Sequence, residues 1–217
     1  MATVWHEIAR TSRGTLEGGF ERLLGREAWL ALPGAVRERF LRRIETGDCV
    51  NYVGRVMECR MSRAGRVLAQ LARIIGAPLP LGTDIGVAAS VSVTSDDGRI
   101  NQYWTRQYGR RHGFPQVIHS AKRFAGPTGL EEYIGHGIGI ALRLRVEDGT
   151  LLFEGDHYFL RLFGLRLRLP GWAQPGRLTV GHRDLGDGRF VFSLDLVHPL
   201  FGELIHQCVV FADSEGP

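Results

Sequence analysis

Between a turn at Asp187-Gly188 and a corner at Pro199-Leu200-Phe201-Gly202, two kinds of position alternate without a break. Phe190, Phe192, Leu194 and Leu196 point one way, and Val191, Ser193, Asp195 and Val197 the other. A period of two marks a strand with one face toward a core. The same grammar of turn and alternating run predicts further strands over residues 87–93, 99–108, 117–124, 130–146, 151–163, 177–184 and 203–211. Asp96-Asp97-Gly98, Gly126-Pro127 and Glu147-Asp148-Gly149 supply turns between them. The run over 130–146 is the longest. Gly135, Gly137 and Gly139, at alternate positions within it, predict a sharp bend, a bulge or a close approach. Residues 164–175, with Leu169-Pro170-Gly171-Trp172 among them, read as an ordered crossing loop.

Earlier in the chain the spacing is helical. Leu16, Phe20, Leu23 and Leu24 share a stripe that Gly25 stops. Pro33 suits the first turn of a helix whose stripe is Val36, Phe40, Leu41 and Ile44, ended by Gly47-Asp48. Residues 50–60 read as extended, with Val50, Tyr52 and Val56 on one face and Val53 and Met57 on the other. Ser62 then caps a second helical region carrying Val67, Leu68, Leu71, Ile74 and Ile75, closed by Gly76. Pro78 and Pro80 break the pattern in a short apolar stretch that reads as a packed connection.

The expected organisation is a single domain over residues 1–217, with helices and a first strand in 16–82 and antiparallel sheet in 83–211. At least eight sequential strands are too many to leave flat with two open edges. The predicted class is α+β, mostly antiparallel β: a curled meander or barrel-like sheet with the N-terminal helices packed at one end. Such a sheet encloses about one small ligand. The alternative is a two-layer sandwich in which a helix grips a cupped sheet.

Composition narrows the partners. Hydrophobic residues at 44% and charged residues at 23% match a soluble globular chain. The net charge of +4 raises the question of nucleic acid, but Lys122 is the only lysine and the arginines are scattered among acids. No basic run or RNA-binding aromatic signature is present, so no nucleic-acid partner is expected. Cys49 and Cys59, if on one strand, stand about 30 Å apart and cannot pair. With Cys208 they make no disulfide framework. The start of the sequence lacks the apolar core of a secretory signal, and no apolar run is long enough to span a bilayer. A cytoplasmic location is the expectation.

An ordered series of short marks adds a family. It runs through Leu23-Leu24-Gly25, Leu32-Pro33, Val36-Arg37, Gly54-Arg55, Leu71-Ala72-Arg73 and Gly76-Ala77-Pro78. It continues through Trp104-Thr105-Arg106, Ser120, Glu132 with Gly135, Gly164-Leu165 with Leu169-Pro170, and residues 187–192 before Pro199-Leu200-Phe201-Gly202. Together these resemble the bacterial family called domain of unknown function 4166, over about residues 16–211. No single motif is specific; the order is. In some relatives the resemblance implies fusion to a domain similar to saccharopine dehydrogenase, and hence a partner oxidoreductase. This chain has no Gly-x-Gly-x-x-Gly after a strand, so no nicotinamide cofactor is carried over.

The strand over 99–108 holds the main candidate chemistry. Ile100, Gln102, Trp104, Arg106 and Tyr108 share one face. Aromatic residues around a central arginine suit a pocket for an anionic or carbonyl-bearing ligand, or else an outward face on which Arg106 stacks. Trp104, Arg106, Tyr108, Phe190 and Phe192 are the expected ligand-binding residues, with Phe190 and Phe192 as core or cavity wall. Glu132 pairs with Arg106 or serves as a base, and His157, sharing parity with Phe153 and Phe159, is a third catalytic candidate. Histidines and cysteines lack metal-ligand spacing, and no nucleophile elbow occurs, so no metal or other cofactor is expected. Three functions remain. The first is binding of a hydrophobic or lipid-like metabolite inside a cupped sheet. The others are a cofactor-independent isomerase, cyclase or hydrolase in the same pocket, and an interaction module for a partner redox enzyme.

Overall fold

The computed structural model describes residues 18–76, 78–95 and 101–213. The lead-in, Leu16, Ala77, the turn at Asp96-Asp97-Gly98 and Ile100 lie outside them. Among the described residues three short helices come first: α1 (Gly19–Leu24), α2 (Arg26–Leu30) and α3 (Gly34–Leu41). Strand β1 (Val50–Met61) and helix α4 (Arg63–Leu71) follow, and α4 runs on into a 3-10 turn at Ala72–Ile75. The rest is sheet: β2 (Ala88–Ser95), β3 (Asn101–Tyr108), β4 (Gln116–Arg123), β5 (Leu130–Gly135) and β6 (Ile138–Glu147). Then come β7 (Thr150–Leu162), β8 (Leu165–Arg168), β9 (Arg177–Gly186), β10 (Arg189–His198) and β11 (Gly202–Asp213).

All pairings are antiparallel, in the order β6-β5-β4-β3-β2-β1-β11-β10-β9-β7, and β6 also pairs with β7. That last pairing closes a ten-strand barrel, with β8 hydrogen bonded to the outer part of β7 as an appendage. Closure removes the two unpaired edges that an open sheet of this size would expose. The barrel-like sheet, and not the sandwich alternative, is therefore the fold.

Three expectations need correction. The run over 130–146 is not one strand but the β5–β6 hairpin. His136 and Gly137 both take positive φ (48° and 78°), the two-residue turn whose twist matches paired strands. Phe163 and Gly164 (49° and 80°) do the same between β7 and β8, so part of the expected crossing loop is strand. Asp148-Gly149 and Asp187-Gly188 complete the set of such turns among the described residues. The second helical stripe also ends early. The chain leaves α3 at Leu41, and Ile44 is buried instead against the cluster around Tyr52, Val93 and Trp104.

The helices close one end. Phe20 packs edge-on against Phe40, Phe124 and Phe153, which ties α1 and α3 to the barrel interior. Arg39 of α3 bonds Asp184 at 2.8 Å and Asp213 at 2.7 Å, and its guanidinium lies 4.4 Å from the centre of the Phe190 ring. This end is plugged.

Helix α4 lies at the other end and packs by its small face. Ser62 caps it, accepting a hydrogen bond from Gly65 N at 3.1 Å. Gly65, Ala69 and Ala72 are buried, while Val67, Leu71 and Ile74 are exposed. A Cβ on Gly65 would stand 2.0 Å from Leu204 O. Gly65→Ala should therefore cost about 1–3 kcal/mol as β11 or the helix is pushed aside. Urea denaturation checks this, and an unchanged midpoint would mean that α4 does not rest on Leu204.

Candidate functional site

Inside the barrel lies a cavity of about 700 Å³. Its mouth is rimmed by exposed Val67, Leu71, Trp172 and Phe201, so α4 and the β8–β9 and β10–β11 connections frame the entrance. Strand alternation sets what faces inward. On β3 these are Trp104, Arg106 and Tyr108; on β4 Ile118, Ser120 and Lys122; on β5 Glu132 and Ile134. Across the ring, β9 and β10 supply Leu178, Val180, Phe192, Leu194 and Leu196. In the strand order β4 and β10 are five steps apart either way around, hence diametrically opposite. The cavity thus has a polar wall facing an apolar one.

The polar wall is an ion cluster. Arg106 Nη2 donates to Glu132 Oε1 and to Ser120 Oγ, both at 2.8 Å. Lys122 Nζ stands 3.1 Å from Glu132 Oε2, so each carboxylate oxygen has its own cation. Register explains the meeting: Lys122 pairs with Glu132 across β4–β5, and Trp104 with Ser120 across β3–β4. Lys122 is buried, with its ammonium 4.6 Å from the Trp104 ring centre, a cation over a π face.

Burial by itself pushes the Glu132 carboxyl up. Lys122 and Arg106, with hydrogen bonds from Ser120 and Arg106, outweigh it and hold the group down at about 2. Burial pulls the Lys122 amine below its usual range; Glu132 restores part of this, and Arg106 adds to the lowering. Tyr108 is held up by burial, and Tyr158, also lining the cavity, by burial and then by the charge of Glu132. Both phenols keep their protons at neutral pH and remain donors. The Trp104 indole N–H has no hydrogen-bond partner among the described residues.

The residues singled out in the sequence divide. Trp104, Arg106, Tyr108, Glu132 and Phe192 all line the cavity. Phe190 does not. It is fully buried toward the plugged end, among Tyr52, His182, Phe192 and Phe211. His157 also fails to reach the cavity. The β6–β7 register slips between Ala141 and Leu142, leaving Asp156 as an extra residue on β7. The slip reverses parity, so Phe153 belongs to the interior cluster but Tyr158 lines the cavity, and His157 and Phe159 face outward. His157 Nδ1 there meets Asp156 Oδ2 at 2.6 Å.

Lys122, Tyr158 and Gln207 are polar lining residues that the sequence does not single out for the site. Gln207 is the buried amide on β11 that lines the same space. His182, stacked 4.9 Å from Phe190, is pushed down to about 3 by burial and by Arg39, and stays neutral. On the outer surface Asp195, Glu203 and His206 bring ligand-type atoms within 4.8 Å of one another. His206 already uses Nδ1 on Asp195 at 2.6 Å, and Glu203 pairs with Arg60. The group is explained as ion pairing between strands.

Residues 32–211 match the family described as Domain of unknown function (DUF4166). The chain belongs to the DUF4166 family. No curated protein and no solved structure matches it. The DUF4166 match ends at Phe211, two residues before the end of β11, so it takes in the rest of the barrel wall and both halves of the ion cluster. Among the described residues no helix of this DUF4166 protein is long and apolar enough to cross a membrane.

Proposed function

We propose that the barrel binds one small hydrophobic or lipid-like metabolite within its cavity. The observation that carries this reading is the cavity itself: about 700 Å³, open at one end, and apolar over most of its lining apart from one cluster of charges. Ligand pockets of drug-sized molecules span roughly 300–1,000 Å³ and combine such a lining with a few placed polar groups. Exposed apolar side chains at the mouth give a hydrophobic molecule a dry path inward.

Catalysis finds less support. Glu132 shares the cavity with Arg106, but two cations keep it ionised and make it a weak base. His157 faces away, and His198, which borders the cavity, accepts the N–H of Leu200 at its Nδ1. A partner oxidoreductase and a cytoplasmic setting remain readings from the sequence and its family resemblance.

Native mass spectrometry of the protein as purified is the direct test. A bound mass released on denaturation, or a rise in melting temperature with a panel of hydrophobic metabolites, is the expected result. An apo spectrum together with no thermal shift would overturn the proposal.

A further inference from the structure

The charges lining the cavity do not balance. Arg106 and Lys122 contribute two positive charges and Glu132 a single negative one, so the described lining carries a formal +1. Among the described residues no second carboxylate lines the space. Of the histidines there, His198 sits at the rim, and His119 bonds Thr105 on the adjoining strand. An unbalanced cation in an apolar enclosure is costly unless something anionic joins it.

Unused donors surround the same point. Arg106 makes its hydrogen bonds through Nη2 alone, so its Nε and Nη1 have no partner among the described residues. The Trp104 N–H is likewise unpaired, and the Tyr108 and Tyr158 hydroxyls are protonated. Acceptors are scarce on this wall, where Glu132 already serves both cations. On the facing wall Leu178, Val180, Leu194 and Leu196 are aliphatic, and the polar residues of β10 in the lining are Ser193 and His198.

We infer that the natural ligand is an amphipathic monocarboxylate whose head completes the Arg106–Lys122–Glu132 cluster while its apolar body lies against β9 and β10. This rests on the reading of the cavity as a binding site. A single carboxylate brings the lining to neutrality, whereas a neutral lipid leaves the excess cation and a phosphomonoester dianion overshoots it. The flat two-oxygen head also matches the fork of a guanidinium.

The experiment compares dodecanoic acid, methyl dodecanoate and dodecan-1-ol by calorimetric titration at neutral pH. The acid is expected to bind about 10- to 100-fold more tightly than either neutral analogue, the range for a hydrogen bond to a charged group. In Lys122→Met the acid should lose most of that advantage while the ester and alcohol bind as before. Glu132→Gln, which adds one unit to the net positive charge, should keep or increase the preference for the acid. A purely structural cluster would not give these opposite signs. If a variant fails to fold, the three-ligand comparison on the wild-type protein still decides. Ester or alcohol binding as tightly as the acid would overturn the carboxylate inference and leave the cavity reading standing. No binding by any of the three would overturn both.

Discussion

Glu132→Leu should lower the stability of the protein by about 3–5 kcal/mol, the cost of stranding buried partners of an ion pair. Leucine fills similar space, so the loss is electrostatic. Arg106 and Lys122 would face each other in the cavity wall with no anion between them. Removing Lys122 as well, in Glu132→Leu/Lys122→Met, should recover part of the loss, because deleting both members of a buried pair costs far less than deleting one. Urea denaturation followed by tryptophan fluorescence measures both. A single variant as stable as the wild type would mean that water reaches the cluster freely.

Acid supplies an independent reading of the same carboxylate. Its pKa is depressed in the folded state, from 4.5 to about 2. The stabilisation is therefore complete above about pH 4.5 and is lost as pH falls toward 2. The Glu132→Leu protein, lacking the group, should show a flatter decline across that window.

Phe190→Ala is the second large effect, again about 3–5 kcal/mol, as for other buried phenylalanines cut back to a methyl. The ring is fully buried and has neighbours on every side. His182 and Phe211 stack on it, Tyr52 and Phe192 meet it edge-on, and the Arg39 guanidinium covers it. Arg39 belongs to α3, so the void would open where the helical plug joins the wall. Thermal unfolding should fall accordingly. A small shift would show that α3 collapses into the space, and the pairing of Arg39 with Asp184 and Asp213 would then be expected to change.

Much of this architecture is legible in the sequence. Asp187-Gly188 and Asp148-Gly149 announce their hairpins because aspartate and glycine accept positive φ, and the alternating runs beside them orient Phe192, Leu194 and Leu196 inward. His136-Gly137 and Phe163-Gly164 make the same turn with a less telling first residue, and this is why two strands were absorbed into longer segments. A glycine between two alternating runs was the available signal. The cavity wall on β3 was readable from parity. His157 was misplaced for the opposite reason: one extra residue at Asp156 reverses every side chain after it, and nothing in the local composition announces a bulge. Helix α4 inverts the usual inference from amphipathicity. Its large apolar stripe frames an opening, and its small residues make the contact, a choice dictated by how closely the helix approaches Leu204 O. Lys122 was noticed only for its rarity, since its meeting with Glu132 depends on a register that no spacing rule encodes.

That rarity has a practical side. Every basic side chain on the outside of the described barrel is an arginine or a histidine, and the one lysine of the sequence is enclosed. Apart from the chain's amino terminus, the protein therefore offers amine-directed reagents a single address, and it lies inside the cavity. A label placed on Lys122 reports on the interior, because no other lysine competes for it. The barrel carries its own internal probe.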